Sequence, residues 1–163
     1  MIEKDKKAQK ELFDKYSRMI FTTIYRIIND YDTANDILQE TFIDVFTQIN
    51  ELKNADALKS WINRIAVRKS VRYMQQTKTI DTIDDYPDIK STDWNGDFIG
   101  EDLQKAIASL SDKNRMVFVL VEVEGYKHRE VAEMMRISEG TSKSQLNYAK
   151  KLLRLKLSEI YNS

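Results

Sequence analysis

The residues able to do chemistry in this chain are mostly cations and amides. There are 163 residues with one histidine, His128, and no cysteine. That excludes disulfides, thiol nucleophiles, cysteine–zinc sites and any two-histidine metal site. No nucleophile–base pair and no phosphate-cradling loop can be assembled, so neither catalytic residues nor a cofactor or metal is expected. Positive charge is concentrated instead. From Ala57 to Ile80 there is no acid, and Lys59, Arg64, Arg68, Lys69, Arg72 and Lys78 fall within that stretch. From Gly140 to Ser158 there is again no acid, with Lys143, Lys150, Lys151, Arg154 and Lys156. Two basic segments flanking an acidic one suit two contacts with a polyanion. The plainer alternative is two solvated helix faces.

The elements that must position these residues read as helices. Hydrophobic residues make up 42% and charged residues 32%, with only 4 Gly and 1 Pro, which argues against a turn-rich β-sandwich. The net charge is zero, but residues 77–100 hold Asp81, Asp84, Asp85, Asp88, Asp93 and Asp97 with the only proline, Pro87. Such a stretch between two periodic blocks reads as an acidic, flexible linker. The expected architecture is all-α: a helical bundle over residues 7–76, the linker over 77–100, and a second helical domain over 101–160. No run approaches the ~20 apolar residues of a membrane span. The charged start Met1-Ile2-Glu3-Lys4-Asp5-Lys6-Lys7 lacks an apolar core, so it does not read as a signal peptide, and a cytoplasmic protein without membrane insertion is expected.

In the first block, Leu12, Phe13, Tyr16, Met19, Ile20, Ile24, Ile27 and Ile28 share one helix face. Asn29 to Asp32 breaks the pattern, with Asp32 or Thr33 as the expected cap of the next helix. That helix sets Ala34, Ile37, Leu38, Thr41, Phe42, Val45, Phe46 and Ile49 in one stripe and turns Asp36, Gln39, Glu40, Ile43, Asp44 and Thr47 the other way. Its carboxylates could suggest a di-metal site, but the Glu-x-x-His pairs are missing. Asn50 to Asp56 reads as a polar loop. A third helix has Leu58, Ile62, Ile65, Ala66 and Tyr73 on one side, with Arg64, Arg68 and Arg72 as a stripe beside it and Trp61 between.

In the second block, Leu103 to Leu110 marks a short helix, Ser111 is the expected cap of the next, and Gly125 its terminator. Residues 128–151 have the spacing of a helix-turn-helix. Ser138 can cap the last helix, whose first half offers Thr141, Ser142, Lys143, Ser144, Gln145 and Asn147. Lysines there suit phosphates, and Gln145 and Asn147 suit base edges. A plain helical hairpin is the alternative.

The stretches 110–118, 124–133 and 137–146 resemble region 4 of extracytoplasmic-function (group 4) sigma factors of the sigma-70 family. Residues 32–42, DTANDILQETF, are similar to region 2.2, and Ser60-Trp61-Ile62-Asn63-Arg64-Ile65-Ala66 to region 2.3–2.4. The resemblance implies a protein without catalytic activity that binds core RNA polymerase, recognises −10 and −35 promoter elements and helps to open the duplex. It implies that Asp36, Gln39, Glu40 and Ile43 dock on the polymerase β′ clamp helices, with the β flap as a second polymerase contact. It assigns the −10 element to the segment from Asn50 to Ala57, including Lys53 and Asn54, and to Lys59, Trp61, Arg64, Arg68, Lys69 and Arg72. It assigns the −35 element to Thr141, Ser142, Lys143, Ser144, Gln145, Asn147, Tyr148 and Lys150. It also leaves room for an anti-sigma factor as partner. Where the family often has Gly in the turn, this chain has Arg136, and where Arg is frequent it has Gln145 and Tyr148. A self-sufficient helix-turn-helix regulator is the competing reading, though no dimerisation helix or ligand domain is apparent.

Overall fold

The computed structural model describes residues 2–77 and 100–162; the linker expected over 77–100 falls almost wholly outside them. Seven α-helices and no strand occur among the described residues. They fall into two compact units, Met1–Met74 and Gln75–Ser163. No described helix is long and apolar enough to cross a membrane.

The first unit is built on α1 (Ile2–Ile28) and α2 (Tyr31–Gln48), which pack side by side. The isoleucines at positions 20, 24, 27 and 28, at three- and four-residue steps, are all within 2% of full burial. Phe13 meets Phe42 edge-on at 4.9 Å. Each such side chain removed from water stabilises the unit by about 1.5–3 kcal/mol. The chain reverses at Asn29, which takes a left-handed φ of 59°, a conformation Asn tolerates better than most residues. The cap of α2 is Asp30, not Asp32 or Thr33 as expected. Its carboxylate accepts the Thr33 backbone N–H at 3.0 Å and the Thr33 hydroxyl at 2.6 Å. The reversal is therefore tighter than the polar run suggests, and Thr33 serves as the donor in the cap.

Two single 3₁₀ turns, Ile49–Glu51 and Ala55–Ala57, fill the expected loop, and Asn54 caps the second by accepting the Asp56 N–H at 3.0 Å. In α3 (Leu58–Thr77) the buried residues are Ile62, Ala66, Val67, Ser70, Val71 and Met74. Ile65 and Tyr73, expected inside, are only half-buried. The buried stripe has turned toward Val67 and Val71. Lys69 joins α3 to α2 through a 2.7 Å ion pair with Asp44.

The second unit packs α4 (Gly100–Ala108), α5 (Asp112–Phe118) and α6 (His128–Met135) against the long α7 (Glu139–Asn162), with α4, α5 and α6 all touching α7. Ser111 sits at the cap position of α5, but its hydroxyl makes no capping bond. The buried Arg115 binds the corner instead: its guanidinium donates to Asp112 at 2.8 Å and to the Leu110 carbonyl at 3.2 Å. After α5 the chain widens into a π turn, Val119–Val123, and stops at Gly125 with φ 78°. The Tyr126 N–H reaches back to the Leu120 carbonyl at 2.9 Å, closing the helix end in the manner of a glycine C-cap.

Two stability tests follow from these contacts. Asp30→Ala should lower stability by about 1 kcal/mol through loss of the cap, read as a lower urea midpoint with an unchanged slope. Gln145 of α7 is fully buried, and neither end of its amide finds a partner. A buried amide without hydrogen bonds costs about 1–3 kcal/mol. Gln145→Met, similar in shape without the polar atoms, should therefore raise the melting temperature; a fall would mean that the amide is solvated in solution.

Candidate nucleic-acid interface

The α6–turn–α7 segment has the form of a helix-turn-helix. Three residues, Arg136, Ile137 and Ser138, separate the helices. Arg136 takes φ 57° and ψ 45°, and its N–H and that of Ile137 both return to the Ala132 carbonyl. The left-handed conformation costs a non-glycine residue about 1 kcal/mol, and the C-cap bonds offset part of it. The Ser138 hydroxyl accepts the Thr141 N–H at 3.0 Å and donates to the Thr141 hydroxyl at 2.7 Å, so α7 starts where the sequence indicates. A Cβ placed on Gly140 would meet nothing nearer than the Ser138 hydroxyl oxygen at 3.9 Å. The fold itself does not demand glycine there, and the outward side of the turn is open.

Along α7 the polar residues separate into two groups. Lys143, Ser144 and Asn147 are exposed, while Thr141, Tyr148 and Lys150 are half-buried. Ser142 and Gln145, expected to face DNA, are instead fully buried. The Ser142 hydroxyl is 2.8 Å from Nδ1 of His128, so it ties the start of α6 to α7. Gln145 lies one turn further along the same inner side. Both corrections have one cause: at about 100° per residue, positions 142, 145, 146 and 149 line a single face, and Val131 and Met135 are buried with it. Lys150 is held by Glu122 at 2.6 Å, and Lys143 lies 3.9 Å from Glu139.

The other cationic surface lies on the first unit. Arg64, Arg68 and Arg72 are all exposed, and their four-residue spacing sets them in one row along α3. Lys59 at the start of α3, and Asn50, Lys53 and Asn54 in the preceding loop, are exposed too. Trp61 is half-buried, consistent with its place at the edge of the apolar stripe. Lys69 differs from its neighbours, because the ion pair with Asp44 already occupies its ammonium group. On α2, the side chains of Asp36, Gln39 and Glu40 are exposed, and Ile43 is 63% exposed among them.

The sequence reading gave no contact to three cations of the helix-turn-helix. Lys127 and Arg129 at the start of α6, and Arg136 in the turn, are exposed. Their signal in the sequence is their position: Lys127 and Arg129 fall at the start of α6, where a helix N-terminus favours an anion, and Arg136 falls just ahead of α7.

Two family models match the chain: sigma-70 region 2 over residues 12–79 and sigma-70 region 4 over residues 100–153. Among curated proteins, the RNA polymerase sigma factor SigV of Bacillus subtilis is 26% identical over 83% of this chain and 82% of its own length. The ECF RNA polymerase sigma factor SigW of Bacillus subtilis is 25% identical over 96% of this chain and 92% of its own. Among solved structures, the sigma factor RpoE in its complex with the anti-sigma factor NepR from Bartonella quintana shares the fold, with a TM-score of 0.54 at 20% identity over 91% of this chain and 96% of that one. The two models fall on the two units in the order in which the exposed cations occur. The chain belongs to the sigma-70 family of RNA polymerase sigma factors, in its extracytoplasmic-function group.

Proposed function

We propose that this chain, held on core RNA polymerase, recognises a promoter at two elements and helps to melt it. Residues 7–76 bind the polymerase and the −10 element, residues 101–160 bind the −35 element, and residues 77–100 are the acidic tether between them. One observation carries the reading: each unit presents a separate exposed row of cationic and polar side chains, Arg64, Arg68 and Arg72 on α3 and Lys143, Ser144 and Asn147 on α7. Neither row is long. Affinity for DNA grows with the number of phosphates neutralised, so each unit alone binds weakly and the polymerase must present both together.

On α3 the arginines hold the sugar–phosphate strand, while the loop with Asn50, Lys53 and Asn54 meets bases that have left the stack. Lys59 and Trp61 flank that strand, and Lys69 keeps α3 in register with α2. On α7, Lys143 and Ser144 meet phosphates, Asn147 reads a base edge, and Thr141, Tyr148 and Lys150 border the groove. Ser142 holds α7 to α6 from within through His128, and Gln145 lies on the same buried side. Asp36, Gln39, Glu40 and Ile43 dock on the β′ clamp helices: three polar groups surround one exposed apolar side chain, the make-up of a small protein contact. The second unit meets the β flap. The protein works in the cytoplasm as a regulatory initiation factor, and an anti-sigma factor is a natural partner, since the similar fold of Bartonella RpoE was solved bound to one.

The wild-type chain should be retained by purified core polymerase at low salt, and no complex at all would refute the proposal. Asp36→Arg should weaken that retention about tenfold by opposing charge at the contact. Lys143→Ala should leave retention unchanged but lower transcription from a promoter with a −35 element, and reduce the salt slope of holoenzyme binding by about 1.

A further inference from the structure

Arg136 is placed against the preference of its own backbone. It ends α6 with φ 57° and ψ 45°, the left-handed conformation that glycine adopts freely and a residue with a Cβ does not. The bonds that close the turn run from main-chain N–H groups to the Ala132 carbonyl, so glycine would make them equally well. Nor does the side chain brace the fold. It is exposed, and its guanidinium forms no hydrogen bond or ion pair with another described residue. Glu133 and Glu139 stand three positions to either side and are exposed as well, yet Glu139 turns toward Lys143 instead. We propose that Arg136 binds a backbone phosphate of the −35 duplex and so helps to set the register in which α7 enters the groove. This rests on the promoter reading above and adds to it a contact made by the turn itself.

Position, charge and chemistry each support the assignment. Contacts to phosphates fix a protein's register on a duplex, while base edges carry the sequence. Arg136 stands three positions ahead of α7, so it flanks the exposed Lys143, Ser144 and Asn147 on their N-terminal side. Lys127 and Arg129 stand at the other end of α6. Its eight residues span about 12 Å, and phosphates of one strand recur every ~3.4 Å along the duplex axis. The two ends of α6 therefore address different phosphates. Other cations of the motif are already engaged: Lys150 with Glu122 at 2.6 Å and Lys143 with Glu139 at 3.9 Å. Arg136 brings a charge that the fold does not neutralise. Its planar guanidinium is always ionised and offers two parallel N–H groups to the oxygens of one phosphate. A strained residue from which the fold gains nothing is what a binding role leaves behind.

The test measures holoenzyme binding to promoter duplexes over a range of salt, with the melting temperature of the free chain in parallel. Arg136→Gly removes the guanidinium and relieves the backbone. It should raise the melting temperature, yet weaken promoter binding several-fold and lower the salt slope by about 1. The loss should be the same for every −35 sequence and should vanish on a fragment that ends downstream of that element. Arg136→Lys keeps the charge and should recover most of the slope. Unchanged affinity and slope in Arg136→Gly overturn the proposal. A loss that depends on the −35 sequence overturns the phosphate assignment by making this a base contact. A loss that persists on the shorter fragment, or weaker retention by core polymerase, overturns it by moving the contact to a protein. A lower melting temperature overturns it by giving the side chain a structural part. If wild-type holoenzyme binds no better with the −35 element than without it, the promoter reading itself fails, and this contact with it.

Discussion

Each helix of this chain must hide one stripe of its surface, and that requirement decides which polar residues are free to meet a partner. A helix repeats every 3.6 residues, so hiding Leu146 and Ala149 also draws in Ser142 and Gln145. The same geometry hides Ile62, Ala66 and Val67 on α3 and leaves Arg64, Arg68 and Arg72 in water. Recognition surfaces on such helices are therefore what packing leaves over, and a shift of the buried stripe by one residue changes the surface.

Polar groups drawn inside take on different structural parts. Ser142 has a partner in His128 and so links the two helices whose relative placement defines the motif. Arg115 closes the corner between α4 and α5 by binding Asp112 and the Leu110 carbonyl. Gln145 has no partner for its amide and weakens the interior it occupies. Lys69, beside the exposed Arg68, and Lys150 are paired with carboxylates of neighbouring segments. Charge counted along a sequence therefore overstates the charge available to DNA, because some of it is neutralised within the fold.

The turn at Arg136 shows how local strain and recognition meet. The backbone there adopts the left-handed conformation that glycine prefers, with arginine in its place. An arginine in this turn adds a cation at the junction of the two motif helices, where its side chain is exposed. The strain is local and is held by the Ala132 carbonyl accepting two backbone N–H groups.

Much was legible in the sequence because helix periodicity and capping act over only a few residues. The apolar stripe of α1, the break near Asn29, the cap at Ser138, the stop at Gly125 and the two cationic stretches all follow from neighbours within one or two turns. The resemblance to sigma factors rested on such local runs too. Tertiary structure alone decided what depends on residues far apart in the chain. Which side of α7 faces inward depends on α5 and α6 packing against it, which took Ser142 and Gln145 from the surface. Whether Lys69 is free depends on Asp44, 25 positions away. A cleft walled by Leu12 and Ile49 exists only because α1 and α2 lie side by side. Burial and charge pairing are sums over spatial neighbours, and no periodicity along one helix contains them.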